Sequence, residues 1–98
     1  MNLNKIPYDN NDGLIGSPID IRSYTSSSPY IAPSDGYIRY RVRQGETGGF
    51  EIRSSDGNSS NYIWIHITPT NDTRGGLFVK QGIQIYNNGA YQLDFLGV

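Results

Sequence analysis

The stretch that decides the fold is Tyr37-Ile38-Arg39-Tyr40-Arg41-Val42-Arg43, in which apolar and charged residues alternate. Successive side chains of a β-strand point to opposite faces, so Ile38, Tyr40 and Val42 share one face and the arginines share the other. A helix would need apolar residues three and four positions apart, and no long segment of this chain keeps that spacing. The stretch therefore predicts a strand that buries one face.

A second stretch, Tyr62-Ile63-Trp64-Ile65-His66-Ile67-Thr68, repeats the alternation. Its isoleucines are expected to face inward, and its outward side chains form an aromatic row: Tyr62, Trp64 and His66. Shorter runs of the same kind lie at residues 19–24, 49–54, 77–79, 83–86 and 91–96. Together these runs predict an all-β domain of about seven or eight strands, arranged as a sandwich or a barrel.

Glycine and proline, 12 and 5 residues respectively, separate these runs. Asp56-Gly57 and Asn88-Gly89 are expected to supply turns with positive φ, and Gly75-Gly76 is expected to bend the chain between strands. The turn-rich sequence extends over residues 17–98, which we interpret as one domain.

The first 16 residues differ from the rest, because Asn, Asp and Gly dominate and no strand period is present. Apolar residues are spaced along this segment: Leu3, Ile6, Tyr8, Leu14 and Ile15. We interpret residues 1–16 as an irregular N-terminal arm. It is either a loose tail or a docking peptide that orders against a partner.

The composition excludes several classes of function. The chain has 98 residues, a formal net charge of -1, no cysteine and a single histidine. Disulfides, thiolate metal sites and a multi-histidine metal site within one chain are therefore excluded, and we expect no cofactor. A net charge of -1 gives no overall positive potential that would attract the nucleic acid backbone. No apolar run is long enough for membrane insertion, and the N-terminus lacks a signal-peptide pattern.

The aromatic row is the sharpest candidate for function, because a small monomer gains nothing by exposing Trp and Tyr to water. Two further tyrosines are assigned to the same surface, which we interpret as a subunit interface or a ligand face: Tyr40, Tyr62, Trp64, His66 and Tyr86. Aromatic rings with polar tips are favoured in subunit interfaces and also stack on sugar rings. The third alternative is a second buried layer within one subunit.

A basic face is the second candidate. Arg39, Arg41 and Arg43 share one side of a strand, and Arg53 is expected to join them from a neighbouring strand. Three interpretations stay open: a solvated sheet face, salt bridges to an adjacent subunit, or an anionic ligand.

Catalytic residues are not apparent. A catalytic His66 would need a nucleophile and an orienting carboxylate, which the sequence does not place beside it. The carboxylates Glu46, Glu51 and Asp56 lie in or beside glycine-rich segments, and Asp94 stands alone in the last run. We expect no enzymatic activity.

Three segments carry a resemblance to a known family. Residues 30–40, YIAPSDGYIRY, resemble a segment of short β-domains in bacteriophage tail and head fibres, and of the C1q/TNF-like jelly roll. Residues 78–85, FVKQGIQI, are similar to a strand pair of the same group, although Gln81 and Ile83 replace its usual Lys and Asp. The final residues 91–97, YQLDFLG, are similar to its closing strand.

The resemblance implies a small antiparallel jelly-roll-like β-sandwich that forms a homotrimer and acts in virion assembly or adhesion. We expect a capsid-decorating head-fibre protein or a tail-associated module, made in the cytoplasm of a bacterial host. The arm would dock to other virion proteins, and a host-surface glycan is a candidate ligand. The alternative from another class is a free, lectin-like carbohydrate-binding module, and a hydrolase is the third hypothesis.

Overall fold

The computed structural model describes residues 17–58 and 61–98. The described residues form eight strands and no helix: β1 (Ile19–Asp20), β2 (Tyr30–Ile31), β3 (Gly36–Val42), β4 (Gly48–Arg53), β5 (Tyr62–Ile67), β6 (Thr73–Val79), β7 (Gln84–Asn88) and β8 (Gln92–Gly97). The all-β prediction and the predicted number of strands are confirmed. The predicted arm and its apolar residues lie outside the described residues.

Two four-stranded sheets make the sandwich, in the orders β1-β8-β3-β6 and β2-β7-β4-β5. We call these sheet 1 and sheet 2. Strand pairing is antiparallel and nested, because β1 pairs with β8, β2 with β7, β3 with β6 and β4 with β5. A long hairpin folded over in this way is the jelly roll. The prediction of a small antiparallel jelly-roll-like sandwich is therefore confirmed.

The core lies between the sheets, and the alternation in β3 and β4 supplies much of it. Ile38 is 0% exposed and Val42 is 1% exposed, whereas Tyr37, on the same face as the arginines, is 39% exposed. From sheet 2, Phe50 and Ile85 are fully buried and belong to the same core cluster as Ile38. The face predicted to be inward in β3 is therefore the face that is buried.

Gly75 and Gly76 do not end a strand, so the predicted bend is wrong. Both lie inside β6, where Gly75 pairs with Tyr40 of β3. A Cβ atom on Gly75 would lie 2.6 Å from the Tyr40 hydroxyl oxygen and 2.7 Å from its ring carbons. The missing side chain therefore leaves room for the Tyr40 ring. The other two predicted turns are confirmed, with φ of +73° at Gly57 and +87° at Gly89.

The segments that carry the family resemblance meet at one end of the sandwich. The Ala32 N–H donates to the Ile83 carbonyl over 2.9 Å, and the Gly82 N–H donates to the Ala32 carbonyl over 2.8 Å. At the chain's end, the Val98 N–H donates to the Asp35 carbonyl over 2.9 Å. The turn of the first segment and the two later segments are thus joined by backbone hydrogen bonds.

The Asp35 carboxylate completes this junction. It accepts a hydrogen bond from the Gln81 N–H over 2.8 Å and contacts the Lys80 ammonium at 3.2 Å. The Gln81 N–H, and then Lys80, lower the pKa of Asp35 below its usual value. The Asp-Gly pair of the first segment therefore has a structural task, which is to fasten the loop between β6 and β7.

Candidate functional site

The outward side chains of β7, β4 and β5 form one surface on sheet 2. Register places Glu51 between Tyr86 and Trp64, and places Arg53 opposite Tyr62. His66 stands opposite Gly49, next to Trp64. We call this surface the aromatic face and define it as Glu51, Arg53, Tyr62, Trp64, His66 and Tyr86. The structure thus brings together four of the five aromatic residues predicted to share a surface.

Strand β5 is the lateral edge of sheet 2, and three successive side chains at its start are half exposed. Tyr62 is 50% exposed, Ile63 is 49% exposed and Trp64 is 54% exposed. Tyr62 and Trp64 belong to the outer face, whereas Ile63 belongs to the inner one. Ile63 therefore faces inward as predicted, opposite the buried Ile52, but it stays half exposed because β5 is an edge strand and the sandwich leaves its inner side open there.

The rings of Trp64 and His66 stack on each other, with centroids 5.3 Å apart and planes 18° apart. Among the described residues no hydrogen bond joins the His66 ring to a hydroxyl or a carboxylate. The described contact of His66 is therefore aromatic stacking. Two exposed rings on one edge form a flat apolar platform.

Tyr86 links the two charged residues of the aromatic face. Its hydroxyl donates a hydrogen bond to Glu51, and the Arg53 guanidinium lies over its ring at 5.0 Å from the centroid. Burial, followed by the hydrogen bond to Glu51, raises the pKa of Tyr86 to about 12. The phenol therefore stays protonated, and remains a hydrogen-bond donor, even at a pH at which an ordinary tyrosine ionises.

Arg53 differs from the other cations in the described part of the chain. Each of the other arginines and lysines there lies within 3.5 Å of a carboxylate oxygen. Arg53 instead donates to the Ser26 carbonyl over 2.8 Å, and its Nε is buried with no hydrogen-bond partner. The aromatic face thus holds a cation and the Glu51 carboxylate without an ion pair between them.

Tyr40 does not lie on the aromatic face. Its side chain belongs to the inner side of β3 in sheet 1, and its ring centroid is 5.1 Å from that of Phe50. The alternation of β3 puts it there, beside Ile38 and Val42. Its assignment to the same surface as Trp64 is corrected accordingly.

The predicted basic face divides between the two sheets. Arg39 bonds to Asp94 at 2.8 Å and Arg41 to Asp72 at 2.9 Å on sheet 1. Arg43 follows on the same side and pairs with Glu46 at 2.7 Å. Arg53 does not join them, because β4 belongs to sheet 2. Carboxylates of this chain therefore neutralise the three clustered arginines, which makes an anion site there unfavourable.

Two exposed features were not found by sequence reasoning. Ile63 is one of them. The other is a pair of rings on the outer face of sheet 1, where Tyr37 and Phe78 pack edge to face with centroids 5.2 Å apart. Phe78 is 47% exposed. The alternation of each strand could have indicated outward side chains, but the edge position of β5 depends on strand order.

A shallow depression of about 220 Å³ opens beside the start of β5. Its walls include Ile52, Ile63 and Ile83, together with Arg53 and Tyr62 from the aromatic face. The described residues contain no group of three or more side chains suited to hold a metal ion. They also contain no helix that is long and apolar enough to cross a membrane.

The candidate site is thus a flat aromatic platform on an edge strand, with a carboxylate and a guanidinium beside it. Comparison with protein-family models, curated proteins and solved structures finds no match to this chain.

Proposed function

We propose that this chain is a non-enzymatic structural and adhesive protein of a bacteriophage virion. It forms a homotrimer and either decorates the capsid as a head fibre or belongs to the tail. The jelly-roll topology and the three segments that resemble fibre domains support this proposal. Residues 1–16 would attach the trimer to other virion proteins.

The observation that carries the proposal is the exposed start of β5. An edge strand presents unpaired backbone groups, and proteins protect such edges with charges, prolines or a covering segment. Strand β5 reads Tyr-Ile-Trp-Ile-His-Ile and contains no Asp, Glu, Lys or Arg. Its first three side chains are each about half exposed, on both faces of the strand. Such a surface is typical of an interaction site.

Strand β6, which is the corresponding edge of sheet 1, carries a charge that β5 lacks. Strand β6 carries Arg74, whose side chain is 68% exposed, and a glycine pair in its middle. A charge on an edge strand opposes pairing with another chain. Because β6 is protected in this way and β5 is not, we expect the covering chain to contact β5.

The mass in solution tests the assembly. Light scattering behind a sizing column should give about three times 10.9 kDa. Trp64→Ala should lower that mass, whereas Tyr37→Ala should leave it unchanged. Tyr37 is a matched control, because it is a partly exposed aromatic residue on the central strand β3 of sheet 1. A monomer at every concentration would contradict the proposal.

The location is tested separately by immunogold imaging of virions with an antibody against this chain. Label on the capsid or the tail would support the virion assignment and distinguish the two positions. Virions without label, from cells that make the protein, would contradict it.

A carbohydrate-binding module is the second candidate, and one observation favours it. Glu51 and Arg53 lie among the aromatic side chains without ion-pair partners in the described residues, and the Tyr86 hydroxyl donates to Glu51. A flat ring beside polar groups is a pattern that binds sugars. One face of the sugar stacks on the ring, and the sugar hydroxyls form hydrogen bonds with the polar groups.

Trp64 is the only tryptophan, so its fluorescence distinguishes the two candidates. A lectin leaves Trp64 open to acrylamide until a glycan covers it. Strong quenching that a hit from a glycan array relieves would support the lectin. Weak quenching in the absence of any glycan would support coverage by protein.

A further inference from the structure

Two opposite charges stand side by side on the aromatic face without neutralising each other. Glu51 and Arg53 lie two residues apart on β4, and both side chains belong to the outer side of sheet 2, alternating with the buried Phe50 and Ile52. No ion pair joins them, and neither has an oppositely charged partner among the residues that the structure describes. The face therefore carries one negative and one positive group that a ligand can neutralise.

Tyr86 keeps the two charges apart. Its hydroxyl donates to Glu51, which also accepts a hydrogen bond from the Asn88 side-chain amide over 3.5 Å. The Arg53 guanidinium lies over the Tyr86 ring, 5.0 Å from its centroid, and donates to the Ser26 carbonyl over 2.8 Å. Each charged group is thus held in place by neutral groups.

Trp64 supplies an aromatic wall beside the carboxylate. It lies directly opposite Glu51 in the β4–β5 register and is 54% exposed. Side chains in directly opposite positions have Cβ atoms about 5 Å apart. His66 stacks on one side of the indole ring, and the exposure of Trp64 leaves the ring accessible to a ligand. An aromatic ring next to a carboxylate is a combination that attracts organic cations.

We propose that the aromatic face binds a zwitterionic group in which a short linker joins a quaternary ammonium to a phosphate, as in phosphocholine. The ammonium contacts the Glu51 carboxylate and the Trp64 ring, and the phosphate contacts the Arg53 guanidinium. This inference rests on the second candidate function, in which Trp64 is open to a ligand. It names the chemical class of that ligand, which either a surface glycan or a lipid headgroup can carry.

The arrangement of charges favours a zwitterion over a single ion. Positions two residues apart on a strand are separated by about 6.7 Å, so an ion that approaches one charge also feels the other. Glu51 repels an anion that approaches Arg53, and Arg53 repels a cation that approaches Glu51. A ligand that carries both charges is attracted by both groups. The face therefore discriminates against simple anions and simple cations.

The hydrogen bonds already made on this face favour a quaternary ammonium. A primary ammonium brings three N–H donors that each need an acceptor, whereas Glu51 already accepts from Tyr86 and Asn88. A quaternary ammonium needs no acceptor, and its methyl groups can pack on the Trp64 ring. The Nε of Arg53 is buried, so a phosphate contacts the outer nitrogens of the guanidinium.

Titration with phosphocholine, followed by the fluorescence of Trp64, tests the proposal. Trp64 is the only tryptophan, so its emission and its quenching by acrylamide report on this face. Phosphocholine should change the emission saturably and relieve the quenching. Choline alone, inorganic phosphate alone and phosphoethanolamine should each bind about 10-fold more weakly, because each lacks one of the proposed contacts.

Two substitutions remove the charges one at a time. Glu51→Gln and Arg53→Gln should each weaken phosphocholine binding about 10-fold. The matched controls are Glu46→Gln and Arg43→Gln, which remove the same charges from an ion pair on the other sheet and should leave the affinity unchanged. Arg43 also lies over a tyrosine ring, at 4.0 Å from the centroid. Circular dichroism verifies folding, and Glu51→Gln carries the test alone if Arg53→Gln does not fold.

The source of the zwitterion is identified by two further probes. Binding to vesicles of phosphatidylcholine supports a lipid headgroup, whereas binding only to phosphocholine coupled to agarose supports a group carried by a polymer.

The outcomes separate this inference from the function on which it rests. An open Trp64 whose quenching phosphocholine does not relieve would overturn the zwitterion site but leave the carbohydrate-binding module in place. An affinity that Glu51→Gln leaves unchanged would overturn it in the same way. A Trp64 that is shielded from acrylamide without any ligand contradicts the second candidate function, and the zwitterion site with it.

Discussion

Substituting Gly75 by alanine tests the packing of the Tyr40 ring, which lies on the inner side of β3 between Gly75 and Phe50. The new Cβ would lie 2.6–2.7 Å from three atoms of Tyr40, about 1 Å closer than van der Waals contact allows. The ring cannot retreat freely, because it packs against the fully buried Phe50. Overpacking of this kind costs about 1–3 kcal/mol, and removing a strand glycine returns roughly 0.5–1 kcal/mol. We therefore expect a net loss of about 1–2 kcal/mol of unfolding free energy.

Thermal unfolding at one fixed protein concentration measures this loss as a fall in Tm of about 5–15 °C. Gly76→Ala is the matched control, because its Cβ would meet only the Ile38 carbonyl oxygen at 3.4 Å. In a Tyr40→Val background the clash is gone, so Gly75→Ala should become neutral or slightly stabilising. A clash with Tyr40 is contradicted if Gly75→Ala is as harmless as Gly76→Ala, or if its effect on Tm is the same in both backgrounds.

Three further results are expected. Asp35→Asn should weaken the acid dependence of Tm below about pH 5, because the contribution of Asp35 is present above its unfolded-state pKa and is lost as pH falls through its lowered folded-state pKa. An unchanged pH profile would contradict this. Trp64→Ala removes about 130 Å² of exposed surface, worth about 3 kcal/mol, so sedimentation equilibrium should show association weakened roughly 100-fold. Deleting residues 1–12 should leave the melting transition intact but abolish attachment to virions in a pelleting assay; loss of folding, or normal attachment, would count against a docking arm.

The strand pattern could be predicted because it is local. Alternation in β3 was enough to place Ile38 and Val42 in the core and Tyr37 outside. The glycine pair in β6 was misinterpreted for the opposite reason. Gly75 is needed because the Tyr40 ring of a neighbouring strand occupies the space of its side chain. No residue near Gly75 in the sequence indicates that contact.

The candidate site was predicted in part. The period of two in β5 was enough to group Trp64 with Tyr62 and His66, which register confirms. The sequence does not show which sheet a strand joins, so Arg53 was grouped with arginines that lie on the other sheet. Exposure of Ile63 was missed because a strand's position at an edge is decided by the pairing of all eight strands.

The family-like segments could be recognised from the sequence, but their structural task could not. Asp35 reaches a loop 46 residues later in the chain, where it accepts the Gln81 N–H. Its neighbour Gly36 has no space for a side chain, because a Cβ would lie 2.4 Å from the Leu96 carbonyl oxygen. These restraints explain the Asp-Gly pair by packing at one end of the sandwich.

The fluorescence of Trp64 as a function of protein concentration shows whether another copy of this chain covers the start of β5. Trp64 is 54% exposed in a single copy and is the only tryptophan. If another copy covers Trp64, its emission is blue-shifted and acrylamide quenching is weak when the chain is concentrated. On dilution the emission should shift to the red and quenching should rise, in step with the fall in mass. Emission and quenching that stay those of an exposed tryptophan at every concentration would contradict coverage by another copy.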